Sequence, residues 1–288
     1  MKKSKQSAKT AEQGARPNRL PVSVSGQVTL LTDFATADYF VAAVKGVILS
    51  INPSARIVDI THQIPPHDIE AAAFTLLASY RSFAAGTIHL AVVDPGVGSS
   101  RRAILVSAGG YFFVGPDNGI FSYILDNEYD RKVFHITAEK YFQQPLSGTF
   151  HGRDVFAPIA AALSKGIPPE SFGPIIQNEV RVASLKPVLL KDGSVQGRII
   201  HIDHFGNCIT NFDRTAFLNA NGENMGLMVN GKRIKSRREF YGEGKTDKSP
   251  FAIWGSAGFL EISVQNRSAA KKLKAKRGDT VILKIARE

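Results

Sequence analysis

The spacing of hydrophobic and polar positions changes partway along the chain. Between Val28 and about Gly166, short apolar runs alternate with amphipathic stretches. Val28–Thr32, Arg56–Ile60 and Thr87–Val93 predict strands. The last, TIHLAVV, is apolar nearly throughout, as expected of a strand covered on both faces. Thr36–Ser50 places Phe40, Ala43, Val44, Val47 and Ile48 at helical spacing. Asp68–Tyr80 does the same with Ile69, Ala72, Ala73, Leu76 and Leu77. Arg102–Ser107 and Tyr111–Val114 predict two strands joined by a Gly109-Gly110 turn. A helix over Asp154–Ser164, with Asp154 as its N-cap, closes this half. Such alternation predicts an α/β domain with a mainly parallel sheet and helices on both faces.

After about Asn178 short strands dominate: Val195–Ile202, Gly226–Val229, Phe259–Val264 and Thr280–Ile285. The turn signals Lys191-Asp192-Gly193, Asn230-Gly231 and Arg277-Gly278-Asp279 separate several of them. Only Ser268–Ala275 reads as helical. This half predicts an all-β, barrel-like domain. The expected division is a basic tail over 1–25, an α/β domain over 26–190 and a β-barrel domain over 191–288. The tail lacks the apolar content that would offset its ordering entropy, so it reads as disordered. No apolar h-region follows its lysines, which predicts a cytoplasmic protein. No apolar run reaches the length of a transmembrane helix.

Charge narrows the partners. The net charge is +11, but residues 1–20 carry +5 and residues 267–288 carry +6, while the 246 residues between hold 22 charges of each sign. A neutral body argues against nucleic acid as the main partner, with Lys232, Arg233, Lys235, Arg237 and Arg238 as the candidate material. The single cysteine, Cys208, excludes an internal disulfide framework and a thiolate-rich zinc site. No HExxH or HxH pattern occurs, so no metal is expected.

Carboxylates stand where strands end, which is where ligands gather in an α/β sheet. Asp33 follows the first strand and Asp94 the third; Asp59, inside the second, reads as a turn cap. The loop Asp94-Pro95-Gly96-Val97-Gly98 lacks the third glycine of a dinucleotide fingerprint and the lysine of a P-loop. Pro116-Asp117-Asn118-Gly119 reads as a structural turn. His151, in Thr149-Phe150-His151-Gly152-Arg153-Asp154, sits on a loop and is either a base or an exposed histidine. Asp203-His204-Phe205-Gly206-Asn207 suits either recognition of a polar heterocycle or amino acid, or a hairpin braced by an Asx turn. Trp254–Phe259 is a similar turn.

The segments LTDFATADYFVAAVKGVI, VDITHQI, GTIHLAVVDPGVGSSRRAI, FVGPDNGIF, TFHGRDVFAP, IDHFGNCITN and GSAGFLEI occur in this order. Together they closely resemble the S-adenosyl-L-methionine (SAM) hydroxide adenosyltransferase family, the adenosine-forming SAM hydrolases, which is related to the SAM-dependent fluorinase and chlorinase. The resemblance runs from about Val28 to Val281. It implies hydrolysis of SAM to adenosine and L-methionine by in-line attack of water on C5′, with SAM as substrate and no cofactor. It implies a homotrimer whose site lies between the N-terminal domain of one subunit and the C-terminal domain of its neighbour. Asp94, Arg101 and His151 match the set that positions the water. Asp33 matches the residue on the ribose hydroxyls, Phe150 and Phe205 the flanks of the nucleoside, Asp203 the partner of the methionine ammonium, and Asn207 the adenine reader. Ser256 matches a position near the methionine end. The alternatives are a halide adenosyltransferase and a SAM- or adenosine-binding protein without turnover. An anionic Asp94 argues against the halide, since a carboxylate repels chloride or fluoride at low dielectric.

Overall fold

A computed structural model describes residues 24–214, 225–244 and 247–285. The tail expected over residues 1–25 lies almost wholly outside the described residues.

The first sheet has seven strands. β1 (Gln27–Thr32) lies between β2 (Arg56–Thr61) and β3 (Ile88–Val92) and is parallel to both. β5 (Tyr111–Pro116) joins β3 in parallel, and β4 (Ala103–Ala108), β6 (Arg131–His135) and β7 (Ile175–Ile176) continue outward with antiparallel pairings. The sheet is therefore mixed. Gly109 and Gly110, at φ of 59° and 87°, make the tight β4–β5 turn, and a two-residue turn can join only antiparallel strands.

Helices cover both faces. Leu30 enters the core beneath α1 (Phe40–Ile51) and α4 (Ala157–Ser164), with Val44, Ile48, Ile159 and Leu163. The next residue, Leu31, enters the opposite core with Ala72 and Leu76 of α2 (Ile69–Ser79) and Ile124 of α3 (Ser122–Asn127). Period-two alternation thus feeds two apolar layers, which is why the central strands are apolar at successive positions.

Two helix starts differ from the sequence reading. α1 begins at Phe40 because Ala35 adopts φ 54° and residues 33–39 form a loop instead of a first helical turn. Asp154 caps no helix: a π-helical turn over Gly152–Phe156 already runs into α4. Its buried carboxylate instead accepts from Ser147 N at 2.8 Å and pairs with Arg153 at 2.6 Å.

The second sheet runs β12 (Lys232–Ile234), β11 (Met225–Val229), β16 (Thr280–Ile285), β9 (Val195–Ile202), β10 (Cys208–Asp213), β15 (Phe259–Ser263), β14 (Phe251–Trp254) and β13 (Ser236–Arg237). Only Lys235 separates the two end strands β12 and β13, so the sheet curls into a nearly closed barrel. Ile199, Phe212, Leu227, Leu260, Ile262 and Leu283 fill it, together with Leu273 from α5 (Ala269–Leu273). β8 (Val188–Leu189) pairs with β9, so this sheet begins at Val188.

The halves meet along α2. Phe74 and Tyr123 pack on Ile200 and Ile209, and the Phe74 ring stacks on His201 with centroids 5.0 Å apart. Arg277 pairs with Asp68 across the same seam at 2.5 Å. No helix among the described residues is long and apolar enough to cross a membrane.

Candidate active site

The strand order places a topological switch at β1: the chain leaves it toward β2 on one side and toward β3 on the other. Ligands settle at the carboxyl ends of strands flanking such a switch. Asp33 directly follows β1 and Asp94 lies just past β3. Between them opens a cavity of about 300 Å³ lined by Asp33, Phe34, Phe40, Asp94, Phe150 and His151, among others.

Arg101 ties the chemistry together. Its Nε donates to Asp94 Oδ1 at 2.9 Å, and its Nη2 donates to Asp94 Oδ2 at 2.5 Å. The same Nη2 donates to His151 Nδ1 at 2.8 Å. A guanidinium has no acceptor, so Nδ1 must be unprotonated and a neutral ring carries its proton on Nε2. Burial lowers the His151 pKa below the ordinary imidazole range and Arg101 lowers it further, while Asp94 and Asp154 partly oppose them. The guanidinium also lies over the Phe156 ring, 5.2 Å from its centroid.

Two loops must approach closely to build this set. Gly98 sits at φ 76°, and a Cβ there would overlap the carbonyl oxygen of Gly148. Ser99 Oγ donates to Gly96 O at 2.7 Å and accepts from Arg101 N at 3.2 Å, which braces the turn that carries the guanidinium. Gly98 therefore serves loop-to-loop approach.

Asp33 accepts from His67 N at 2.9 Å through Oδ2. Beside it, Phe34, Phe40 and Phe150 form an aromatic wall with centroid separations of 5.2 to 5.9 Å. Sequence reasoning did not single out Phe34 or His67, and it read Phe40 only as part of a helix face. The available signal was the large aromatic immediately after a strand-end carboxylate.

Asp203, Phe205, Asn207 and Ser256 line a different cavity, of about 850 Å³, on the barrel. Asp203 Oδ1 accepts from Asn207 N and Oδ2 accepts from Asn207 Nδ2, both at 2.8 Å. The Asx-braced hairpin is thus realised, and it presents Phe205 at its tip with 75% of its surface exposed. Within one chain, then, Asp33, Asp94, Arg101, Phe150 and His151 come together, and the four barrel residues form a second group.

Asp59 pairs with Lys45 at 2.7 Å and His62 at 3.2 Å, a brace at the end of β2. Asp117 bonds Arg102 and Val180 N, the structural role expected of its turn. Cys208 is buried, and burial pushes its thiol pKa up to about 12. No group of three or more His, Cys, Asp or Glu side chains is placed to hold a metal ion among the described residues.

Fold and site define a two-domain α/β-plus-barrel protein with a prebuilt carboxylate–guanidinium–imidazole set. The chain belongs to the SAM hydroxide adenosyltransferase family, whose N-terminal domain matches residues 28–173 and whose C-terminal domain matches residues 197–282. It is 38% identical over 265 residues to an (R)-S-adenosyl-L-methionine hydrolase of Thermus thermophilus, covering 89% of this chain and 98% of that protein. A protein of the same name from Methanocaldococcus jannaschii is 36% identical over 262 residues, covering 85% and 91%. A fluorinase of Actinoplanes sp. is more distant, at 27% over 222 residues and 68% and 74% coverage. The crystal structure of an uncharacterized conserved protein from Thermotoga maritima superposes with a TM-score of 0.82 at 34% identity, covering 89% of this chain and 99% of that one.

Proposed function

We propose that the protein hydrolyses SAM to adenosine and L-methionine. The observation that carries this reading is Arg101 holding both Asp94 and His151 beside the switch-point cavity. The sulfonium is already a good leaving group: as the C5′–O bond forms, the C5′–S electrons pass to sulfur, and methionine departs neutral at sulfur without a general acid. The difficulty is the weak nucleophile. Holding water in line with the C5′–S bond supplies on the order of 7 kcal/mol or more in ideal cases.

The tautomer divides the roles. With Nδ1 occupied by Arg101, the neutral His151 ring donates through Nε2–H and orients the water oxygen. The released proton passes to the Asp94 carboxylate, whose oxygens keep further lone pairs beyond their bonds to Arg101. The Arg101 charge favours hydroxide character as the bond forms.

The substrate residues fit a site shared between subunits of a homotrimer, because one chain carries its two groups in separate cavities. Asp33 takes the ribose hydroxyls, and Phe150 and the neighbour's copy of Phe205 flank the nucleoside. Asn207 reads adenine through Oδ1 and the Nδ2–H that Asp203 does not take. Ser256 meets the methionine end, and Asp203, on the same cavity, faces the methionine ammonium. No cofactor or metal takes part in this step, so turnover should survive a chelator.

The test is incubation with SAM of each sulfonium configuration, since the relatives' name specifies the R form, followed by separation of products. Adenosine is the expected outcome. A 5′-halo-adenosine formed in chloride buffer would replace the reading with halide transfer, and bound but unchanged SAM would make the protein a binder.

A further inference from the structure

The barrel cavity holds a buried charge that the proposed function does not yet use. Glu261 lies on β15 between Leu260 and Ile262, whose side chains fill the barrel. Strand alternation therefore turns the Glu261 carboxylate outward, where it lines the 850 Å³ cavity with Asp203 and Ser256. The residue is nevertheless only 8% exposed. Tyr241 Oη donates to its Oε2 at 2.8 Å. Its other oxygen packs on Gly255, where any Cβ would overlap the carboxylate, so the Trp254–Ser256 turn is shaped around it.

What this carboxylate lacks is a cation. Every ion pair among the described residues is made by other groups, and Arg267, on the wall of the same cavity, lies beyond ion-pair distance. Burial raises the Glu261 pKa, and the negative charge of Asp203 adds to the rise. A buried carboxylate without a cation is costly, and a positively charged ligand group removes that cost. Asp203 lines the same cavity and keeps lone pairs beyond its bonds to Asn207, so the two carboxylates face one cation; Glu261, which accepts only from Tyr241 among the described residues, is the less satisfied of the two.

SAM offers two positive centres. The sulfonium must lie at the reacting carbon, beside Asp94 and His151 in the other cavity. The remaining one is the α-ammonium of the methionine moiety; adenosine carries none. We propose that Glu261, held by Tyr241, receives the α-ammonium and makes the site selective for substrates with a free α-amine. This rests on the hydrolase reading above.

The test uses both products as ligands of the full-length protein. Glu261→Gln keeps the shape and the Tyr241 hydrogen bond but removes the charge. It should weaken L-methionine binding and raise the KM for SAM by about tenfold to a hundredfold, the range for losing a charged hydrogen bond. Adenosine affinity should change by less than about twofold and kcat by less than about threefold, as for uniform binding loss. An equal loss of adenosine affinity would show that the carboxylate reads the nucleoside, and unchanged L-methionine affinity would show a purely structural role; either overturns the proposal. The unaltered protein supplies a second arm: L-methionine should compete with SAM far better than 4-(methylthio)butanoate, which lacks only the amine, and equal competition also overturns it. If the unaltered protein leaves SAM intact, the hydrolase reading falls, while L-methionine and adenosine binding still judge Glu261.

Discussion

Removing the His151 ring would leave Arg101 Nη2 bonded to Asp94 alone and would free the water that the ring orients. His151→Ala and Asp94→Ala should each lower kcat by about 10²- to 10⁴-fold, with little change in SAM affinity, because the water interaction strengthens only as C5′–O forms. The double variant should fall little further than either single one, since residues acting as a unit are not additive. Isothermal binding beside single-turnover kinetics checks this; poor binding with normal turnover of bound SAM would make His151 a binding residue. Acid should act through the same ring. Its pKa lies below the ordinary 6.5, so the neutral form and its acceptor Nδ1 persist as pH falls through that value. Protonation at lower pH puts a proton on Nδ1 and breaks the Arg101 bond, so the acid limb of kcat should lie below pH 6.5. His89 titrates differently: burial drives its pKa to about 3. Between pH 6.5 and 3 the unfolded chain binds a proton that the folded one refuses. Stability should therefore fall with falling pH by up to about 1.4 kcal/mol per unit from this residue, and His89→Gln should flatten that slope in urea titrations at pH 7, 6 and 5. At this scale the sequence was legible where chemistry follows position: Asp33 and Asp94 stand at strand ends, and His151 on a loop. Arg101 entered only through the family resemblance and not through its own position, because a bond between residues 50 apart depends on two loops closing. The sequence was silent on Glu261, which reads as one polar position in an ordinary alternating strand.

Glycines separate two roles among the elements. Gly98→Ala should lower turnover more than tenfold, because φ 76° and the overlap with Gly148 O would force apart the loops that carry Arg101 and His151. Gly46 lies within α1 with open space where a Cβ would go. Gly46→Ala should leave turnover unchanged and stabilise the fold by about 0.5–1 kcal/mol, seen as a raised Tm. An inactive Gly46→Ala, or a fully active Gly98→Ala, would contradict this assignment. Element reading from sequence worked where a strong local signal existed. TIHLAVV is the central β3, and Gly109-Gly110 is the β4–β5 turn. It failed where tertiary contacts decide. The π-helical turn at Gly152–Phe156 depends on Asp154 reaching back to Ser147 N, and Asp154 in sequence resembles an ordinary N-cap. β14 is short, and its pairing with β15 is what defines it as a strand; β10 is of ordinary length and is defined by its pairing with β9 and β15. The mixed character of the first sheet follows from where β4 inserts, a topological fact that periodicity does not contain.

The whole molecule poses a geometric problem: the water-positioning set and the barrel residues line separate cavities in one chain. Phe205, on the barrel cavity, is 75% exposed, and Tyr39, whose ring lies 4.6 Å from that of Phe40 on the other cavity's wall, is 66% exposed. If each complete site joins the first domain of one subunit to the second domain of its neighbour, two differently broken subunits should repair one another. His151→Ala destroys the water side and keeps the barrel side; Asn207→Ala does the reverse. Each homotrimer should be inactive. In a mixed ring, an interface that takes its α/β domain from the Asn207→Ala subunit and its barrel from the His151→Ala subunit is intact. Equal mixing with random assembly makes about one interface in four of that kind, so the whole mixture, inactive homotrimers included, should recover about a quarter of the unaltered activity. Refolding or co-expressing the pair, then assaying at matched subunit concentration, gives the answer. Recovery should disappear when the sample is diluted to monomer. Mixed assemblies that form but stay inactive would place the whole site within one chain, and the gap between its cavities would then have to close by movement along the α2 seam.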